Sequence, residues 1–168
     1  MSTHDHVDEI LANWERERPE LDASPIGVFG RIARIDRLLD AHLAEFLGTH
    51  DLTLGLFDVL AALRRQGPPY RAKPSVLATT SLLTSGGMTG RIDQLERQGL
   101  VKRVNDPDDR RVSFAELTSA GLELIDMLFE QHLDREAALL RELTPEEQIQ
   151  LGAFLRAVEA TMSSDNHQ

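Results

Sequence analysis

The chain of 168 residues has the size of one domain, and with 41% hydrophobic and 27% charged residues it can bury a core. It has no Cys, which excludes a disulfide scaffold, a thiolate zinc site, a cysteine nucleophile and a thiol redox sensor. The formal charge of −10, taken whole, argues against a nucleic-acid partner.

The opening MSTHDHVDEILANWERERPELD carries six acidic residues before Asp22, and no run in the chain approaches the ~18 apolar residues of a membrane span. Neither a signal peptide nor a membrane segment is expected, and the expected compartment is the cytoplasm. Val7, Ile10, Leu11 and Trp14 form one apolar stripe at helical spacing, and Pro19 stops that helix. Ser24-Pro25 reads as a capping hydroxyl followed by a proline at the first helical position. Ile26, Phe29, Ile32, Ile35, Leu39, Leu43, Phe46 and Leu47 then keep a helical period to Gly48. A third helix starts near Thr53 and runs through Leu56, Phe57, Leu60 and Leu63 to Arg65.

Gly67-Pro68-Pro69-Tyr70 is a turn, leading to a short helix around Pro74–Thr79 and a four-residue link. The next helix is predicted from near Thr84 to Gln98, burying Met88, Ile92 and Leu95, with Gly99-Leu100 as its stop. Leu100–Val104 and Val112–Leu117 read as two strands of a hairpin around the turn Asn105–Asp109. Thr118 caps a long helix to Glu142, and Thr144-Pro145-Glu146-Glu147 is a capping box for a last helix through Ile149, Leu151, Phe154, Leu155 and Val158. The fold class is thus mainly α with a small β-hairpin.

The charge is unevenly placed. Between Arg64 and Arg111 ten Lys/Arg face five Asp/Glu, a balance of +5, whereas the remainder has eight basic against 23 acidic residues, −15. A basic middle between acidic ends is the asymmetry of a nucleic-acid-reading lobe on a separate scaffold, or else a solvated charge pattern. The order of elements in that middle is that of a winged helix-turn-helix, whose second helix enters the major groove by its N-terminal end. Thr84, Ser85, Gly86, Gly87, Met88, Thr89 and Gly90 open that helix with small groups that let backbone approach a phosphate or base edge. Gly86, Gly90, Asp93 and Arg97 lie opposite its apolar stripe, with Ser85 and Thr89 at the leading end. Glycines there disfavour the helix by roughly 1 kcal/mol each against Ala, so either close packing on a neighbour or groove entry must account for them. The hairpin tip brings Asp109, Arg110 and Arg111 to where a wing meets a minor groove.

The run KPSVLATTSLLTSGGMTGRIDQLERQGLVKRVNDPDDRRVSFAELTSAG resembles the DNA-binding lobe of the MarR family of winged-helix transcription factors. Asp109-x-Arg111 followed by Leu117-Thr118 matches the family's wing signature, with Ala115 in place of the usual Val. The resemblance extends from about Trp14 to Val158. It implies a single domain over 1–168, in which 1–50 and 118–163 build a helical homodimer scaffold and 53–117 form the winged-helix lobe. It also implies a pseudo-palindromic double-stranded operator, released when a small anionic or phenolic ligand binds, with no cofactor and no membrane. The expected DNA-contacting residues are Thr84, Ser85, Gly87, Thr89, Gly90, Arg97, Asp109, Arg110 and Arg111.

The added N-terminal helix with its Trp, the phrase ERPELD, and FDVLAALRRQGPPYR are similar to the family's urate-responsive branch. That resemblance implies a ligand set of Trp14, Asp58, Arg91 and Arg103. The chemistry fits: an indole stacks on a planar heterocycle, and Arg91, at the edge of its helix's stripe, can pair an anion bidentately. Asp58 stands on a helix apolar almost all round, so its charge calls for a partner, and Arg103 is a candidate. The plainer alternative makes Asp58–Arg103 a structural ion pair and Trp14 a staple for the first helix.

No His-Glu-x-x-His, Gly-x-Ser-x-Gly or phosphate-binding Gly-x-x-x-x-Gly-Lys is present, so an enzyme is not expected. His4, His6, His42, His50, His132 and His167 lack zinc-ligand spacing, which leaves only a site built across a dimer. The competing function is a winged-helix module that binds protein instead of DNA.

Overall fold

The computed structural model describes residues 4–81, 87–106 and 113–165. Asp5 starts the first helix, α1 (His6–Glu17): its carboxylate accepts the N–H groups of Val7 at 2.8 Å and Asp8 at 3.0 Å, and Asp8 accepts the Asp5 N–H at 2.8 Å. This capping box satisfies donors that a helix start leaves free. Val7 is buried against Gly30 of α2 (Ser24–Gly48), and Arg31 of α2 reaches back to Asp5 at 2.9 Å and Asp8 at 2.7 Å. Ser24 does not cap α2 as its hydroxyl suggested. It lies inside the first turn, Ala23 occupies the cap position, and the Asp22 carboxylate accepts the Ser24 N–H at 2.9 Å.

The capping box and Arg31 make the docking of α1 depend on pH. Asp5 is held below its ordinary value of 3.8 first by the Asp8 N–H and then by Arg31, and Asp8 is lowered first by the Asp5 N–H and then by Arg31. Both carboxyls are depressed in the folded chain, so their contribution is complete above pH 3.8 and fades as pH falls through the lower folded values. Acidification through that range is expected to loosen α1. Arg31→Ala should move the onset toward neutral pH. The emission of Trp14, the only tryptophan and a residue of α1, reports the change. An acid titration identical in both proteins would show that these ion pairs do not hold α1.

Thr53 caps α3 (Leu54–Arg65), accepting the Leu56 N–H at 3.3 Å, and every residue from Leu56 to Leu63 is buried. α3 can be apolar on all sides because other elements surround it: α2, then β1 (Arg71–Ala72), α4 (Pro74–Thr80), α5 (Met88–Arg97), β3 (Ser113–Leu117) and α6 (Ser119–Leu139). With β2 (Val101–Asn105), the strands form an antiparallel sheet of order β1-β3-β2. Arg71 lies opposite Glu116, Ala72 opposite Ala115, and the hairpin pairs Val101 with Leu117 through Asn105 with Ser113.

Two predicted features change here. β1 has no counterpart among the elements expected from sequence, being two residues long and defined only by its pairing with β3. α5 begins at Met88 instead of near Thr84, because Gly87 sits at φ +78°, a left-handed conformation that a right-handed helix cannot contain.

Thr118 caps α6 as expected: its Oγ1 accepts the Gly121 N–H at 3.0 Å and donates to the Gly99 carbonyl at 2.7 Å. α6 stops at Leu139, three residues before the predicted Glu142. The predicted capping box forms at α7 (Pro145–Asp165), with the Thr144 N–H donating to Glu147 at 2.7 Å and the Glu147 N–H to Thr144 Oγ1 at 3.3 Å. Much of the apolar stripe on these long helices is not core. Phe29, Ile35 and Leu38 of α2, Leu133 and Leu139 of α6, and Ile149 and Phe154 of α7 are exposed, the last two by 71% and 68%. Between α2, α6 and α7 lies a groove of about 710 Å³, lined by Leu38, Leu39, His42, Leu139, Leu140 and Leu151 among others.

Candidate nucleic-acid interface and effector site

α5 divides cleanly. Met88, Ile92 and Leu95 are buried on the α3–α4 side, and Thr89, Gly90, Asp93 and Arg97 are exposed. An added Cβ at Gly87 or Gly90 would meet nothing within 4 Å among the described residues, so packing against these explains neither glycine. Gly87 is accounted for by its positive φ; Gly90 leaves the outer face open to close approach. Of the expected DNA-contacting residues, Gly87, Thr89, Gly90 and Arg97 therefore share an exposed helix start and face. Thr84, Ser85, Asp109, Arg110 and Arg111 lie outside the described residues.

Arg103 is not given to Asp58 but to α5. Its Nη2 bonds Asp93, its Nε donates to Glu96 at 3.3 Å, and its backbone N–H donates to the same carboxylate at 3.3 Å. The Asp93 hydrogen bond chiefly, and Glu96 in support, raise the guanidinium above its ordinary pKa. The cause is topological: the chain reverses at Gly99, at φ +73°, so β2 runs back beside the last turns of α5. Asp93 and Glu96, three apart on one helix, hold Arg103, a pairing not expected from sequence. Their spacing and the glycine turn before β2 were the available signals.

Asp58 is buried at 6% exposure within the apolar stretch of α3, as its setting in the sequence suggested. Arg91 is half-buried and lies over α3: a Cβ on Gly55 would come within 2.8 Å of its Nε and 3.3 Å of its Cζ. Gly55 precedes Asp58 by three positions, so the two belong to one face of α3. Arg91 and Asp58 thus meet the same helix junction, and Gly55 is a second position that only the packing reveals. Trp14 stands on α1, which packs on α2, and is 44% exposed. Among the described residues no group of three or more His, Asp or Glu is placed to hold a metal, and no helix is long and apolar enough to cross a membrane.

A buried helix, a two-helix unit, and a three-stranded antiparallel sheet made of β1 before that unit and the β2–β3 hairpin after it define a winged helix-turn-helix protein. Comparison with known proteins agrees. The MarR family profile matches residues 52–113. The HTH-type transcriptional regulator PecS of Dickeya dadantii is 35% identical over 159 residues, 95% of this chain and 96% of that protein. The chain belongs to the MarR family. Among solved structures, AbsC of Streptomyces coelicolor, a MarR family transcriptional regulator, superposes with a TM-score of 0.75 at 26% identity, covering 86% of this chain and 97% of that one. Sco3205 of the same organism, solved in complex with DNA, gives 0.74 at 29% identity over 83% and 88% of the two chains.

Proposed function

We propose that this chain is a cytoplasmic, homodimeric, sequence-specific DNA-binding transcriptional repressor, released from a pseudo-palindromic operator by a small planar anion such as urate. The observation that carries the reading is the split face of α5. Its apolar side is locked on the core, while Thr89, Gly90 and Arg97 stand free beside a wing. That is the geometry a recognition helix needs to enter a major groove. The resemblance to PecS over nearly the whole chain and the DNA complex of Sco3205 support it. The exposed apolar faces of α2 and α7 and the groove between them suit burial against a second copy, which would supply the mate for a two-fold operator.

The release mechanism follows from Arg103. While Asp93 and Glu96 hold it, the root of the wing is tied to α5 and the Asp93 charge is neutralised. An anion bound near Asp58, Arg91 and Trp14 competes for Arg103. Drawing the guanidinium away frees the wing and leaves an uncompensated carboxylate on the DNA-facing side of α5. Affinity for the duplex then falls.

A gel shift on the region upstream of the chain's own reading frame, titrated with salt and then with urate, tests this. Binding that weakens steeply with salt, and a further loss on adding urate at constant salt, are expected. Binding without salt dependence, or none at all, would favour the protein-interaction module. Salt-dependent binding indifferent to urate would leave the repressor and remove the ligand.

A further inference from the structure

Four cations of the lobe between Arg64 and Arg111 are held in place by partners. Arg64 bonds Asp126, Arg65 donates to the Thr80 carbonyl at 2.9 Å, Lys102 pairs with Glu116 at 2.9 Å, and Arg103 is held by α5. Arg71, Lys73 and Arg97 form no ion pair among the described residues, and all three are exposed. Arg97 belongs to the outer face of α5. Arg71 and Lys73 belong to a different surface, one that neither the motifs nor the wing signature point to.

Both converge on one ring. The Arg71 guanidinium lies 5.0 Å and the Lys73 ammonium 5.8 Å from the centroid of Phe114 on β3. The pairing register explains how. Arg71 is opposite Glu116, and alternation along the chain sends Lys73 to the same side of the sheet, next to Phe114. Glu116 is the one carboxylate opposite Arg71, and Lys102 of the other neighbouring strand already occupies it. Two cations are thus gathered on one half-buried aromatic face, and among the described residues no acid pairs with either. Their mutual repulsion opposes that arrangement, and the ring quadrupole offsets it only in part. Such a cradle is complete when an anion enters it.

Its place in the fold says which anion. Lys73 is the N-cap residue of α4, the first helix of the helix-turn-helix, and that helix is the one that crosses the sugar–phosphate backbone. We infer that Arg71 and Lys73, stacked on Phe114, form a phosphate clamp on the DNA backbone beside the groove that α5 reads. The clamp rests on the DNA-binding reading proposed above. It fixes the docking register without reading sequence, and it acts on any duplex alike.

The test compares the wild-type chain, Arg71→Ala/Lys73→Ala, Lys73→Gln alone and the charge-conserving swap Arg71→Lys/Lys73→Arg. Each is titrated against the upstream duplex and a random-sequence duplex between about 50 and 200 mM salt. Each phosphate that is no longer neutralised lowers the slope of log affinity against log salt by about 0.9, so the wild type's advantage over the variant shrinks about 3.5-fold per phosphate across that range. The double alanine variant should bind both duplexes more weakly by the same factor and show the shallower slope. The swap should keep the wild-type slope, and Lys73→Gln should fall midway between the wild type and the double variant. The exposed positions predict unchanged thermal melting, and should the double variant melt early, Lys73→Gln decides. If the wild type binds steeply with salt and the double alanine variant and Lys73→Gln match its slope, the clamp falls and the DNA-binding reading stands. If the wild type binds neither duplex, both fall.

Discussion

Gly121→Ala is expected to destabilise the fold by about 3 kcal/mol or more, a large share of the ~5–15 kcal/mol typical of a domain. Gly121 lies in the first turn of α6, and a Cβ there would stand 2.0 Å from the Leu100 carbonyl oxygen and 2.9 Å from its carbon. The obstacle is backbone, so no side-chain rotation relieves it. The same carbonyl accepts the Thr118 N–H at 3.1 Å, and the Thr118 hydroxyl ties the preceding Gly99 to the helix start. α6 therefore cannot back away without breaking the junction between the recognition helix, β2 and the long helix. Urea denaturation should show a markedly lower midpoint for Gly121→Ala, with DNA binding lost in parallel. A midpoint equal to wild type would mean that this junction is looser than its geometry implies.

Arg91→Ala should separate ligand response from DNA binding. The guanidinium lies over Gly55 on α3, away from the exposed face of α5, so removing it is expected to leave operator affinity within about threefold of wild type. Charge-assisted hydrogen bonds to an anion contribute about 1.5–3 kcal/mol each, which corresponds to a roughly 10- to 100-fold weaker response to urate. Asp58→Asn tests the same junction from α3, removing a buried charge while keeping its shape. Gly55→Ala adds a finer probe, since its methyl would crowd Arg91 Nε at 2.8 Å and displace the guanidinium while the charge is retained. Titration followed by Trp14 emission measures ligand affinity directly, and gel shift measures release. A wild-type urate response in Arg91→Ala would remove this residue from the effector site.

These predictions draw unequally on sequence and fold. The caps at Thr118 and Thr144–Glu147 form where the residue pattern placed them, because a cap is an interaction over three positions that needs no distant partner. The buried stripe Met88, Ile92, Leu95 and the burial of Asp58 were legible for a similar reason, since helical spacing alone decides which side chains share a face. The same spacing misleads on α2 and α7. Ile35 and Phe154 repeat like core residues and are exposed, because periodicity records an apolar face without recording what covers it.

What the sequence determined by itself is therefore local: helix starts, apolar faces, the basic lobe between Arg64 and Arg111, and the order of elements that makes a winged helix. Tertiary structure alone decided that Arg103 serves α5, that Gly55 makes room for Arg91, and that a two-residue strand gathers Arg71 and Lys73 on Phe114. Each of those depends on a strand register or a helix packing that joins residues far apart in the chain. A side chain's partner is set by distance in space, and only the folded backbone converts position along the chain into that distance.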